Sequence, residues 1–238
     1  MREELSRLEK LIGTAALEKL ASSRVAVFGV GGVGGHAFEA LVRSGVGEID
    51  IIDGDVVAVS NLNRQIIATE GAIGRLKVDV AEERAKSINP DVIINKHPIF
   101  YLPDKKEEFA LEFDKYDYIV DAIDTVAAKV DIIEEANAIG IPIISAMGCG
   151  NRLDPSKLIV TDIFKTFNDP LAKVMRKQLK ERGIKRLKVV ASTEVPITPK
   201  DEEARTPGST AFVPGTAGLL MASIVVRELI AESEAYQT

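Results

Sequence analysis

The chain is 238 residues long, 46% hydrophobic and 28% charged, with a net charge of −6 and a single cysteine. That length supports one sizeable core with an appendage, and the composition excludes collagen-like and wholly disordered chains. One cysteine excludes an internal disulfide and a multi-cysteine zinc site. No run of about 18 uninterrupted apolar residues suggests a membrane span, and the charged start MREELSRLEK has no apolar signal core, so a cytoplasmic protein is expected.

In chain order, N-terminal helices come first, and residues 24–28 form a short β-branched run that reads as a buried strand. A glycine-rich stretch at 29–35 opens a helix that runs through Arg43, and residues 48–52 read as a second strand. A helix is expected at 75–88, stopped by Asn89-Pro90, and a third strand starts at Val92. Residues 105–113 look helical; a fourth strand covers 118–120, a helix 126–139 and a fifth strand 142–145. Strands alternating with helices imply βαβ units. The fold class is therefore α/β: a Rossmann-like, doubly wound, mainly parallel sheet over residues 1–150.

Beyond Gly150 the pattern loosens into an extension, 151–238, of mixed strands and helices expected to pack on the same domain. It holds a strand at 158–163, a basic helix at 170–182 and a strand at 187–190. A mobile loop at 196–209, rich in Pro, Thr, Asp and Glu, precedes a mostly apolar closing helix at 216–231.

Gly29-Val30-Gly31-Gly32-Val33-Gly34-Gly35 follows the first strand. Its glycines let backbone N–H groups approach a phosphate at a helix N-terminus. Asp53 ends the second strand, where a carboxylate accepts hydrogen bonds from ribose hydroxyls. This pair alone does not choose between NAD, FAD and ATP. The following segment does: Ser60, Asn61, Arg64 and Gln65 form a polar cluster, and Lys77 stands at a helix start. Arg64 as a fork and Lys77 as a point charge suit a triphosphate. Asp121 and Asp124 follow the fourth strand at the carboxyl edge of the sheet, and Asp124 suits a magnesium ion on phosphates. Taken singly, each residue also reads as a surface salt bridge or helix cap. Their joint placement after consecutive strands carries the reading.

Gly29-x-Gly31-Gly32-x-Gly34, Asp53-x-Asp55, Ser60-Asn61-x-x-Arg64-Gln65, Lys77 and Asp121-x-x-Asp124 together resemble the ATP-adenylating superfamily. That group includes ubiquitin-activating enzymes and the adenylyltransferases of thiamin and molybdopterin synthesis. The resemblance implies that Asp53 binds the ribose, that Asn61, Arg64 and Lys77 bind phosphates, and that Asp124 binds magnesium. The four glycines, Asp55, Ser60 and Gln65 would complete the ATP site. Arg7, in Ser6-Arg7-x-x-x-Leu11-x-Gly13, resembles the arginine that reaches a neighbouring subunit's phosphates, which implies a homodimer. Arg7, Arg64, Lys77 and Asp124 would then be the catalytic set.

Carrier-protein adenylyltransferases of this group usually hold zinc on two Cys-x-x-Cys pairs. Here Cys149 stands alone in Gly148-Cys149-Gly150 and reads as a small buried residue, with no zinc expected. Met147-Gly148-x-Gly150-Asn151-Arg152-Leu153-Asp154-Pro155, Lys165-Thr166-x-x-Asp169-Pro170-Leu171-Ala172 and Pro207-Gly208-Ser209 resemble the tRNA threonylcarbamoyladenosine dehydratases, extending the match over nearly the whole chain. This implies ATP-dependent dehydration, a cyclisation, of threonylcarbamoyladenosine in the tRNA anticodon loop through an acyl-adenylate. The alternative is adenylation of the C-terminal Gly-Gly of a ubiquitin-like sulfur carrier. The resemblance leaves open a cysteine desulfurase or sulfur-acceptor system as a further partner. Between 173 and 188 stand Lys173, Arg176, Lys177, Lys180, Arg182, Lys185, Arg186 and Lys188 against one acid, Glu181: +7, on a chain that is otherwise −13. Such a stripe suits a tRNA backbone, although a solvated helix face has the same composition.

Overall fold

The computed structural model describes residues 3–109, 111–197 and 207–231. Helices α1 (Ser6–Ile12) and α2 (Thr14–Ser22) lead into β1 (Arg24–Phe28), α3 (Gly34–Arg43) and β2 (Glu48–Ile52). Next come α4 (Lys77–Ile88), β3 (Ile93–His97), β4 (Tyr118–Asp121), α5 (Val126–Ile139) and β5 (Ile143–Ala146). The remainder supplies β6 (Leu158–Asp162), α6 (Pro170–Glu181), β7 (Lys188–Ser192) and α7 (Phe212–Leu229). All seven strands join one sheet in the order β3-β2-β1-β4-β5-β7-β6. It is parallel except for β6, which runs antiparallel to β7.

The strand order reverses between β1 and β4, and such a reversal opens a crevice beyond the carboxyl ends of the strands. Phe28 is level with Ile52 on one side and with Asp121 on the other. The segments leaving β1, β2 and β4 therefore emerge side by side.

Both faces of the sheet are covered. On one, α3 buries Ala37, Phe38, Leu41 and Val42, and α7 buries Val213, Ala217, Met221, Ala222 and Val225. On the other, Ala128, Ile132 and Ala136 of α5 pack on Ala26, Phe28, Ile52 and Ile119. Helix α6 starts at Pro170, with Asp169 accepting the Ala172 N–H as its cap. Ala172, Met175 and Leu179, spaced as one helical face, bury against Val189 and Ala191. Truncating Met175 or Leu179 to alanine costs roughly 2–5 kcal/mol.

The structure departs from the sequence-based expectation in three places. Residues 105–113 do not form one α-helix; 3₁₀ turns cover Pro103–Glu108 and Phe113–Lys115. Tyr101 and Phe113 close around Phe28, with ring centroids 5.4 and 5.8 Å away, and Phe109 lies 6.0 Å from Tyr101. That aromatic cluster dictates the local path. Helix α7 begins at Phe212 rather than 216, with Pro214 in its first turn, where a missing N–H costs nothing. By length and composition α7 is also apolar enough to cross a membrane, contrary to the expectation of no such segment. Its buried face packs as a core helix. Of the 196–209 loop, residues 198–206 lie outside the described residues.

Candidate active site

The segments after β1, β2 and β4 line a cleft of about 750 Å³. Gly29 turns the chain out of β1 with φ +86°, and a Cβ there would stand 2.9 Å from the Ala122 carbonyl oxygen. Gly34 is equally obligatory, since its Cβ would collide with the Gly29 carbonyl. The loop can therefore lie flat on the β4 exit, and α3 begins directly behind it without a side-chain cap. Asp53 is fixed from two directions: its Oδ2 accepts the Val30 N–H at 2.8 Å and its Oδ1 the Asp55 N–H at 2.9 Å. Burial raises its carboxyl above the ordinary value, outweighing the pull of Lys77 and of these N–H donors.

Lys77, 4% exposed at the first residue of α4, places Nζ 2.7 Å from Asp55 and 3.8 Å from Asp53. Asn61 sits in the 3₁₀ turn Val59–Asn61 and accepts the Ala58 N–H at 3.0 Å. Arg64 donates to the Ser60 carbonyl at 2.6 Å and to Asn63 Oδ1 at 3.0 Å, which holds its guanidinium at the cleft wall. Gln65 is buried there too, and its Oε1 has no hydrogen-bond partner among the described residues. A buried amide with an unpaired atom in a nucleotide-sized cleft matches a site built for a polar ligand.

At the β4 exit, Asp121 is fully buried, with Oδ2 2.5 Å from Ser145 Oγ and 2.9 Å from Lys129 Nζ. Lys129 also donates to the Ile123 carbonyl at 3.0 Å. Three residues on, Asp124 is exposed in the cleft with no ion pair or hydrogen bond among the described residues. Among those residues, no group of three or more His, Cys, Asp or Glu side chains is placed so that it could hold a metal ion. A magnesium ion here would rely on one or two carboxylates and on phosphate oxygens, its usual mode.

The back-half motifs brace the far wall. Arg152, 2% exposed, donates to the carbonyls of Gly148 and Asn168 at 3.0 and 2.9 Å and to that of Glu194. Asp169 accepts the Gly148 N–H at 2.9 Å while capping α6. Cys149 and Gly150, on the loop so held, line the cleft. Cys149 is half-buried rather than fully buried, and desolvation, helped by Asp169, pushes its thiol up to about 12, which disfavours the thiolate.

The cleft thus gathers Gly29, Gly31, Gly32, Asp53, Asp55, Asn61, Arg64, Gln65, Lys77 and Asp124. Three expected residues fall outside its lining. Gly34 is packed behind the loop, Ser60 is exposed and contributes its carbonyl to Arg64, and Arg7 is exposed on α1. None of the eight basic residues at 173–188 lines the cleft. Of these, Arg176 binds the Thr166 carbonyl, Arg182 pairs with Glu134 and Lys188 with Glu228. Lys173, Lys177 and Lys180 are exposed on one helical face without such ties among the described residues. Sequence reasoning missed the wall Ile99, Phe100, Tyr101 and Leu102, which has no motif. It also missed Lys129, signalled only by a lysine among the buried apolar positions of a helix.

A cleft of this make, at the switch point of a doubly wound sheet, marks a nucleotide-binding α/β protein. The family model described as ThiF matches residues 5–238. A tRNA threonylcarbamoyladenosine dehydratase of Bacillus subtilis is 41% identical, over 98% of this chain and 97% of its own length. Crystal structures of the E. coli tRNA N6-threonylcarbamoyladenosine dehydratase have been solved with AMP and with ATP, each 34% identical to this chain. Their TM-scores are 0.90 and 0.88, over 98% and 100% of this chain and 96% and 97% of theirs. The chain belongs to the ThiF family, in the branch of the tRNA threonylcarbamoyladenosine dehydratases.

Proposed function

We propose that this protein is an ATP-dependent enzyme that adenylates, and thereby dehydrates, threonylcarbamoyladenosine in tRNA. The observation that carries this reading is the cleft itself: a glycine loop, Asp53, Arg64 and Lys77 converge beside an unpaired Asp124, in a chain matched end to end by dehydratases. Asp53 is the ribose acceptor, and the apolar wall Ile99, Phe100 and Leu102 beside Gly54 suits the adenine ring. Gly31 and Gly32 border the phosphates. Asn61, Arg64, Gln65 and Lys77 take their oxygens, with Lys77 exchanging part of its contact with Asp55. Asp55 keeps that ammonium aimed. Ser60 acts through its carbonyl on Arg64.

In the reaction, a carboxylate oxygen of the threonylcarbamoyl group attacks the α-phosphorus of ATP and the bond to pyrophosphate breaks. A nucleophile within the same modification then attacks the acyl carbon and loses its proton. AMP leaves with the former carboxylate oxygen, and a ring closes. Arg64 and Lys77 balance the charge that develops on the phosphates, and the walls hold the two reactants in line. Asp124 is the residue suited to hold magnesium, which would neutralise phosphate charge. No covalent enzyme intermediate is needed, because the ring-closing nucleophile belongs to the modification itself.

Arg7 reaches phosphates only if a second copy of the chain brings it there, so a homodimer belongs to this reading. The basic α6 segment is the tRNA-backbone surface. It is linked to the cleft through Asp169, which caps α6 and holds Gly148. A tRNA substrate supports a cytoplasmic location. Activation of a carrier protein's Gly-Gly tail is not favoured, because the full-length matches are to dehydratases. The test is mass spectrometry of tRNA nucleosides after incubation with ATP and magnesium. Loss of one water from the threonylcarbamoyl nucleoside is expected; an unchanged nucleoside contradicts the proposal.

A further inference from the structure

We propose that Lys129 is a positioning residue for the metal carboxylate: it fixes the turn that presents Asp124 and keeps the Asp121 charge balanced beneath the polyphosphate. This rests on the reading of Asp124 as the magnesium ligand.

Lys129 is the fourth residue of α5, and Ala128, Val130, Ile132 and Ile133 around it are buried. A packing role alone would favour an alkyl side chain, since a fully buried ammonium is tolerated only with partners. Its two partners bracket the segment between β4 and Asp124. Nζ lies 2.9 Å from Asp121 Oδ2, at the strand end, and 3.0 Å from the Ile123 carbonyl, one residue before Asp124. The same segment is the floor of the glycine loop, because Gly29 packs directly on the Ala122 carbonyl.

Charge points the same way. Four aspartates stand at this edge of the sheet. Lys77 offsets Asp53 and Asp55, Lys129 offsets Asp121, and Asp124 alone is left for a cation. Asp121 Oδ1 has no partner among the described residues, so without Lys129 the buried carboxylate would keep only Ser145.

The test pairs Asp121→Asn with Lys129→Met, a double variant that buries no unpaired charge. It is measured for thermal midpoint, for ATP affinity in the presence of a chelator, and for AMP formation on threonylcarbamoyl-modified tRNA across a magnesium titration. The double variant is expected to melt within a few degrees of the parent and to bind metal-free ATP within about threefold. It is expected to need at least about tenfold more magnesium for half-maximal AMP formation, roughly 1.4 kcal/mol of metal affinity. A parental magnesium requirement overturns the proposal, and a purely structural lysine would move the melting point alone. Asp124→Asn, run in parallel, separates the two layers. If it too leaves the magnesium requirement unchanged, the reading of Asp124 fails; if only it shifts the requirement, the role of Lys129 fails. Should the double variant not fold, Lys129→Arg decides. It keeps the charge but displaces the donor, and at least a threefold rise in the magnesium requirement is expected; no rise overturns the proposal.

Discussion

Asn151 and Gly208 clasp each other at the rim of the cleft: the Gly208 N–H donates to Asn151 Oδ1 at 2.7 Å, and the Asn151 N–H donates to the Gly208 carbonyl at 2.8 Å. The Asn151 carbonyl also accepts the Ile197 N–H at 2.7 Å, so one residue secures the chain at 197 and at 208. It does so from the left-handed region, at φ +57°, where asparagine is tolerated better than most side chains.

Asn151→Gly keeps that backbone and removes only the Oδ1 contact, for an expected loss of about 0.5–1.5 kcal/mol. Asn151→Ala adds a backbone cost of about 1–2 kcal/mol. Urea unfolding should separate the two variants by about that margin. Equal stabilities would contradict the described backbone.

Arg64→Ala and Lys77→Ala are each expected to lower the rate of AMP formation at least about tenfold, some 1.4 kcal/mol of transition-state stabilisation. Lys77→Ala also leaves Asp53 and Asp55 unbalanced, so it should weaken ATP binding more than Arg64→Ala does. Turnover at the parental rate in either variant would remove that residue from the phosphate clamp.

The acid side of the stability profile is assigned to Asp50. Burial acts to raise its carboxyl, but hydrogen bonds from His97, Arg24 and Asn95 outweigh it and hold the group at about 2, against an ordinary 3.8. As pH falls, the unfolded chain takes up the proton first. The stabilisation, on the order of 2 kcal/mol, is complete above the unfolded value and is lost as the pH falls through the folded one. Asp50→Asn should therefore flatten the stability–pH curve between about pH 4 and pH 2. A curve parallel to that of the parent would refute the assignment.

Replacing Lys173, Lys177 and Lys180 by glutamate should weaken tRNA binding and make it less salt-dependent, with the melting point nearly unchanged. Arg176→Glu should act differently, lowering the melting point, because its guanidinium holds Thr166. Equal tRNA binding at every salt concentration would dismiss the α6 surface.

The strands and the glycine loop were legible in the sequence because a buried parallel strand is a continuous apolar run and each exit residue follows its end directly. Asp53 and Asp124 could be placed from spacing alone for that reason. The 105–113 segment was not legible, since Phe113 answers to Phe28, a contact distant in sequence, and Phe109 follows it into the same cluster through Tyr101. Arg152 reads as a loop arginine until the carbonyls of residues 148, 168 and 194 are seen to converge on it. Lys129 hides for a related reason: its partners lie across the α5 start, where helical periodicity reports burial but not charge pairing.

Transfer of a carboxylate oxygen to the α-phosphorus is the chemical step on which the function depends. It is tested most directly by labelling the threonylcarbamoyl carboxylate of the tRNA with ¹⁸O and analysing the products by mass spectrometry. One labelled oxygen should appear in AMP, with unlabelled pyrophosphate. Label recovered in inorganic phosphate alongside ADP, or retained entirely in the nucleoside while ATP is consumed, would contradict adenylation.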